Sequence, residues 1–209
     1  MAPTCKGRAT YHHGDLAAAL VRVTLEIVDE VGVRGFSVAE AARRTRVSPG
    51  APYRHFADRD ALLAAAALEV SRRLRAGYLE AVATVASPQE RLATMAGSVV
   101  RAAARFRGGY ELLYAPGVRT AHPEVLTAKR EFVELLLPSA FEVVSVERGA
   151  EEGAVALLEA LQALSRGYAT LLLDGVFGDP DEVVEDVAAR ATRSARALVA
   201  GYSTAATDG

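Results

Sequence analysis

The chain contains no tryptophan and a single cysteine, Cys5. One thiol closes no intrachain disulfide and assembles no cysteine-based metal site, and in its polar N-terminal surroundings it reads as a solvated side chain. Long apolar runs are lacking as well. Stretches such as Ala64 to Ala67 and Leu171 to Leu173 fall far short of the roughly 20 residues that a membrane span requires. No charged segment, apolar segment and cleavage site open the chain, so a cytoplasmic protein is expected. The short signatures of common enzymes are missing: there is no G-x-G-x-x-G or G-K-[ST] phosphate loop, no H-E-x-x-H and no G-x-S-x-G. Acidic pairs such as Glu151 and Glu152 read as solvated helix starts. His12 and His13 beside Asp15 read as packing at a helix start rather than as metal ligands. An enzyme is not expected, nor is a metal or any other cofactor.

What is present describes a globular chain. Of the 209 residues 51% are hydrophobic and 24% charged, enough to bury a sizeable core in one large domain or in a small domain fused to a larger one. The net charge of -2 is unevenly spread. Residues 1–60 hold nine Lys and Arg against seven Asp and Glu, which leaves fifteen against nineteen for the remainder. A basic head on an acidic body points to an anion-binding surface at the N-terminal end. The signal is weak, because only Lys6 and Lys129 of the 24 basic residues are lysine, a bias that GC-rich coding produces unaided.

Apolar periodicity is helical almost throughout. Leu16, Leu20, Val23, Ile27 and Val31 recur every three or four residues, which predicts an amphipathic helix from near Asp15 to Gly32. Ser37 with Glu40 three residues on predicts a capping box for a short helix from Val38 to Thr45, with Val38, Ala41 and Ala42 inward. Asp58 and Asp60 suit the start of a long helix that carries Leu62, Leu63, Ala66, Val70 and Leu74 toward Ala86. Ser87-Pro88 opens another to about Phe106, and Gly108-Gly109 breaks the chain before a short segment from Tyr110 to Ala115. His122-Pro123 opens a segment bent near Pro138, and two further helices cover Ala150 to Phe177 and Pro180 to about Gly201. The expected fold class is all-α, with no segment alternating convincingly like a strand.

One stretch breaks the pattern. Residues Val47 to Phe56 read VSPGAPYRHF, and interior Pro and Gly cost roughly 3 and 1 kcal/mol relative to Ala in a helix. The stretch therefore predicts a helix of barely two turns, with Ser48 as cap, Pro49 at the first position and Pro52 still in the first turn. Helix, short helix, tight turn and short helix with a basic bias is the arrangement of helix-turn-helix DNA-binding domains.

Over Tyr11 to Leu68 the sequence resembles the tetracycline-repressor (TetR/AcrR) family of transcriptional regulators, carried by YHHGDL, by GVRGFSVAEAARRTRVSPGAPYRHFADRDALL and above all by the YRHF ending before an acidic-capped helix. The resemblance implies a three-helix DNA-binding head over residues 1–58 and a helical ligand-binding and dimerisation domain over 59–209. It makes Pro49 to His55 the recognition helix. Gly50 and Ala51 are then small so that the backbone can approach base edges in a major groove about 12 Å wide, and Arg54 has the hydrogen-bonding capacity they lack. Tyr53 and His55 are assigned to phosphate oxygens, Ser37 and Ser48 to helix starts that face phosphates, and Arg59 to a further phosphate contact. Lys6 and Arg8 form either an arm in an adjacent groove or a solvated tail.

The C-terminal run ALSRGYATLLLDGVF is similar to a helix of a TetR subgroup in which Trp-His-Gly stands where Ser165, Arg166 and Gly167 stand here. The resemblance implies a homodimer on an inverted-repeat operator in double-stranded DNA, repressing until a small apolar or amphipathic effector releases it. A regulator without a small ligand, constitutive or controlled by a protein partner, is the alternative. Candidates for an effector pocket are Met95, Val99, Phe106, Tyr110, Tyr114, His122, Phe132, Phe141 and Tyr168, with Arg101 and Arg105 as polar anchors. Candidates for a four-helix dimer interface are Leu157, Leu161, Leu164, Val184, Val187, Ala191 and Leu198. Plain core packing accounts for the same apolar residues in both sets.

Overall fold

A computed structural model describes residues 13–144 and 150–205. The elements are α1 (His13–Gly35), α2 (Val38–Arg44), a single 3-10 turn (Pro52–Arg54), α3 (Arg59–Val82), α4 (Pro88–Leu112), α5 (Pro116–Ala121), α6 (Pro123–Glu134), α7 (Leu137–Val143), α8 (Ala150–Leu173) and α9 (Pro180–Ala205). No strand occurs among the described residues, and the fold is all-α.

The head closes around α1, whose Leu20, Ile27 and Val28 are fully buried against Phe36, Val38 and Ala41. The helical run is interrupted at Gly32, where φ is 71°, so the helix proper stops where the periodicity stops. The capping box is not made. Ser37 has extended cap geometry but no side-chain cap bond. Glu40 instead accepts from Arg43 (2.7 and 2.7 Å) and from Arg44 Nε (2.8 Å), charge-assisted bonds that outcompete a neutral backbone N–H. Arg44 also grips Glu30 through both terminal nitrogens (2.7 and 2.6 Å), tying α2 to α1.

After α2 the chain turns through a Schellman motif. Val47 N–H donates to the Ala42 carbonyl and Arg46 N–H to that of Arg43, with Arg46 left-handed at φ 58°. The expected two-turn recognition helix is tighter than predicted. Ala51, Arg54 and His55 donate three residues back, to Ser48, Ala51 and Pro52, Phe56 alone donates four back, to Pro52, and Pro52 itself has no N–H to give.

Asp58 caps α3 by accepting from Ala61 N–H at 2.8 Å, and α3 buries Leu62, Leu63, Ala66, Ala67, Val70 and Leu74 along one face. It ends short of the expected Ala86, because Ser87 already caps α4 by accepting from Glu90 N–H, with Pro88 at the first position. Helix α4 is the hub of the body, packed along α9, α3 and α8. It kinks at Arg107 (φ 27°), next to the Gly108-Gly109 pair singled out in the sequence as a break. There α1 crosses it so closely that a Cβ on Gly108 would lie 2.5 Å from the Val28 carbonyl oxygen. The expected bend near Pro138 is a full break between α6 and α7, with Pro138 in the first turn of α7. Gly175 (φ 71°) and Gly178 (φ 114°) form the turn between α8 and α9.

Candidate DNA-binding head and effector cavity

The 3-10 turn hangs from two inward anchors, buried Pro52 and half-buried Phe56, and presents what lies between them outward. Tyr53 is 55% exposed, Arg54 is exposed, and Ser37, Ser48 and Gly50 lie on the surface, with Ala51 and His55 half-buried. Gly50 has neither a positive φ nor crowding to account for it, since an added Cβ would meet nothing within 4 Å. Nothing inside the chain asks for glycine there. Among the described residues no carboxylate pairs with Arg54 or with Arg46, so the turn carries uncompensated positive charge. Lys6 and Arg8 lie outside the described residues.

Arg59 sits differently from the others. Its guanidinium donates to the Val33 carbonyl, to the Phe36 carbonyl (3.3 Å) and to Asp60 (3.1 Å), and lies 5.7 Å from the Phe36 ring centroid. It clamps the start of α3 to the α1–α2 junction. At the far side of the head Asp29 accepts from Gly109 N–H at 3.3 Å, and burial lifts its carboxyl above the usual range.

The body holds a small, partly open cavity of about 50 Å³ between α3, α4, α6 and α8. Its wall brings together Met95, Val99, Tyr114 and Phe132 of the predicted pocket residues and adds Ser71, Leu74, Lys129, Gln162, Ser165 and Arg166. Ser165 donates to the Leu161 carbonyl (2.6 Å) within hydrogen-bond reach of Met95 Sδ (3.4 Å). Tyr110 lies behind Tyr114, their hydroxyls 3.3 Å apart, and burial drives its phenol far above the usual range. The remaining predicted pocket residues lie elsewhere. Phe106 and Arg105 line an open groove of about 760 Å³ between α3 and α4, with Arg101, which is paired to Glu185. His122 meets Glu124 at 3.1 Å, Phe141 is 43% exposed on α7, and Tyr168 stacks on Phe177 and bonds Ser194 at 2.8 Å. Apolar periodicity gave no access to Lys129 or Gln162. Ser165 and Arg166 did carry a signal, as the two departures from the subgroup tripeptide.

The sequence profile of the bacterial regulatory proteins of the tetR family matches residues 20–66, from α1 through the turn into α3. The chain belongs to the TetR family. A protein of unknown function from Rhodococcus sp. RHA1 is 30% identical over 91% of this chain and 98% of its own, with a TM-score of 0.71. A TetR-family transcriptional regulator from Streptomyces coelicolor shares the fold at 19% identity (91% and 97% covered, TM-score 0.67). So does a TetR variant from Acinetobacter baumannii AYE in complex with minocycline (22%, 93% and 98%, 0.62). No protein of curated function matches by sequence.

In this TetR-family chain Leu157, Leu161, Val187 and Ala191 are wholly buried within the single chain, so they are closed to a partner as it stands. Leu164, Val184 and Leu198 are half-buried on the outer side of α8 and α9, and Leu171 beside them is 42% exposed. Among the described residues no helix is long and apolar enough to cross a membrane.

Proposed function

We propose that this TetR-family protein is a ligand-responsive transcriptional repressor of the cytoplasm, with residues 1–58 as DNA-binding head and 59–209 as effector-binding and dimerisation body. The observation that carries the reading is the outward turn: Gly50 small without internal cause, beside exposed Tyr53 and unpaired Arg54. That is a surface shaped for something external and anionic to come close. Tyr53, His55, Ser48 and the helix start at Ser37 position the head on phosphates, while Arg54 and the backbone at Gly50 and Ala51 meet base edges.

Pairing falls to the outer faces of α8 and α9, through Leu164, Val184 and Leu198, giving two heads on an inverted repeat. The effector enters at the small cavity. Its volume is far below the several hundred Å³ of an ordinary ligand site, so binding pushes apart the walls that α3 and α6 supply. Helix α3 carries Ser71 and Leu74 in that wall and is clamped to the head by Arg59, so a shift of the wall becomes a tilt of the head. Coupling of about 1.4 kcal/mol suffices for a tenfold change in DNA affinity.

Gel-shift titration on DNA from upstream of the gene, with and without metabolite extracts, tests this reading. Specific binding is expected, relieved by some extracts and weakened in Tyr53→Phe to a similar extent across operator variants. Failure to prefer that DNA over random DNA of equal length rejects it.

A further inference from the structure

Three cations lie close together beside the small cavity. Arg166 lies 3.7 Å and Lys129 5.2 Å from the centroid of the Tyr114 ring, and both line the cavity. Arg119 stands behind them with its Nε buried and without a hydrogen-bond partner. No ion pair answers any of the three among the described residues. Glu111 and Asp174 share an outer cleft with Arg166 but form no ion pair with it. Burial first, then repulsion from Arg119 and Arg166, holds the Lys129 ammonium below the usual lysine range. Arg166 is exposed, but Lys129 is half-buried, and a half-buried cation beside like charges without a counter-ion destabilises the fold. The Tyr114 ring offsets part of that cost. Leu74, Met95, Val99 and Phe132 supply apolar wall to the same cavity.

We propose that the effector is an organic anion, its apolar body among Leu74, Met95, Val99 and Phe132 and its acidic head held by Lys129 and Arg166. This rests on the effector-cavity reading above. The head supplies the missing counter-charge, Arg166 offers the forked donors that suit a carboxylate-like group, and Arg119 adds positive potential from behind. A neutral molecule of the same shape leaves the cations uncompensated and binds more weakly. The two positions of the subgroup tripeptide replaced here by Ser165-Arg166 thus acquire a use: one residue lines the apolar wall and the other receives the head.

The test is fluorescence titration of the full-length protein with a matched pair of probes. 8-Anilinonaphthalene-1-sulfonate is an apolar body with an anionic head, and N-phenyl-1-naphthylamine is the same body without it. The variants are Lys129→Met with Arg166→Met, and Arg130→Gln as a charge control on the exposed side of α6. The wild type is expected to prefer the sulfonate at least about tenfold. The double variant loses about tenfold or more in sulfonate affinity, with the neutral probe changed less than about threefold, and Arg130→Gln alters neither. Equal affinity for the two probes, or sulfonate binding indifferent to Lys129 and Arg166, overturns the anion assignment and leaves the cavity reading standing. Binding of neither probe overturns both. Thermal unfolding supplies an independent measurement, since removing an uncompensated charge in Lys129→Met is expected to raise the melting temperature by about 2–4 °C. A fall of that size overturns the assignment of Lys129 as a cation without a counter-ion.

Discussion

Replacing Gly108 with alanine probes the contact on which head and body meet. A Cβ there lies 2.5 Å from the Val28 carbonyl oxygen and 2.9 Å from both its carbonyl carbon and Cγ1, and two of those three atoms are backbone that no rotamer change can move aside. In a helix without such a neighbour, glycine to alanine gains about 0.5–1 kcal/mol. Here that gain is set against overpacking, which costs typically about 1–3 kcal/mol and more when main chain has to shift. The net expectation is a loss of about 1–2 kcal/mol, or a melting temperature lower by about 2–8 °C for a chain of this length. Gly77 of α3 is the internal control, because a Cβ there meets nothing within 4 Å, and Gly77→Ala should be stabilising by about 0.5–1 kcal/mol. Differential scanning calorimetry of both variants decides the matter. If Gly108→Ala matches or exceeds the wild type while Gly77→Ala behaves as expected, α1 and α4 are not in tight backbone contact, and the reasoning about how the head sits on the body fails.

Arg46→Gly should raise the melting temperature by about 1–4 °C, because a left-handed L-residue costs on the order of 1 kcal/mol that glycine avoids; a melting temperature that falls contradicts the Schellman geometry. Arg59→Met should lose about 1.5–3 kcal/mol in urea unfolding as the Val33 and Phe36 carbonyls lose a charged donor. If Arg59 is a clamp alone, the salt dependence of DNA binding keeps its slope, whereas a slope reduced by about one marks a phosphate contact. Glu40 is held down to about 2 by Arg43 and then Arg44, against an ordinary value of 4.5. Its contribution is therefore complete above pH 4.5 and lost as pH falls through 2. Urea unfolding of Glu40→Gln should show the variant less stable at pH 7 and the difference largely gone at pH 2; a constant difference between the two pH values contradicts the pairing.

Elements were legible where their cause is local. The α1 periodicity as far as Ile27, the caps at Asp58 and Ser87 and the break at Gly32 act over a few residues and are found where the sequence puts them, while the break expected at Gly108-Gly109 is a kink at Arg107 within a helix that runs on to Leu112. Features that depend on competition or on distant partners were not. The Ser37–Glu40 pattern was present but Glu40 had two arginines within one turn, and the stronger pair prevailed. The carbonyl partners of Arg59 lie 26 and 23 residues upstream, at positions that no spacing rule selects. Apolar positions such as Leu161 and Val187 read equally well as core or interface from periodicity, and only packing distinguishes them. The pairing of the cavity cations escaped for a related reason: Lys129 and Arg166 are 37 positions apart in sequence and meet only at the ring of Tyr114 and the cavity beside it.

The central claim is that two outward turns, related by symmetry, read one operator. Hydroxyl-radical footprinting of the full-length protein on DNA from upstream of its gene tests it most directly. Two protected patches related by a two-fold axis, their centres about 34–36 Å or a multiple apart, are predicted, both weakened by Tyr53→Phe. A single unsymmetrical patch, or no protection at concentrations that shift the DNA in a gel, contradicts the account.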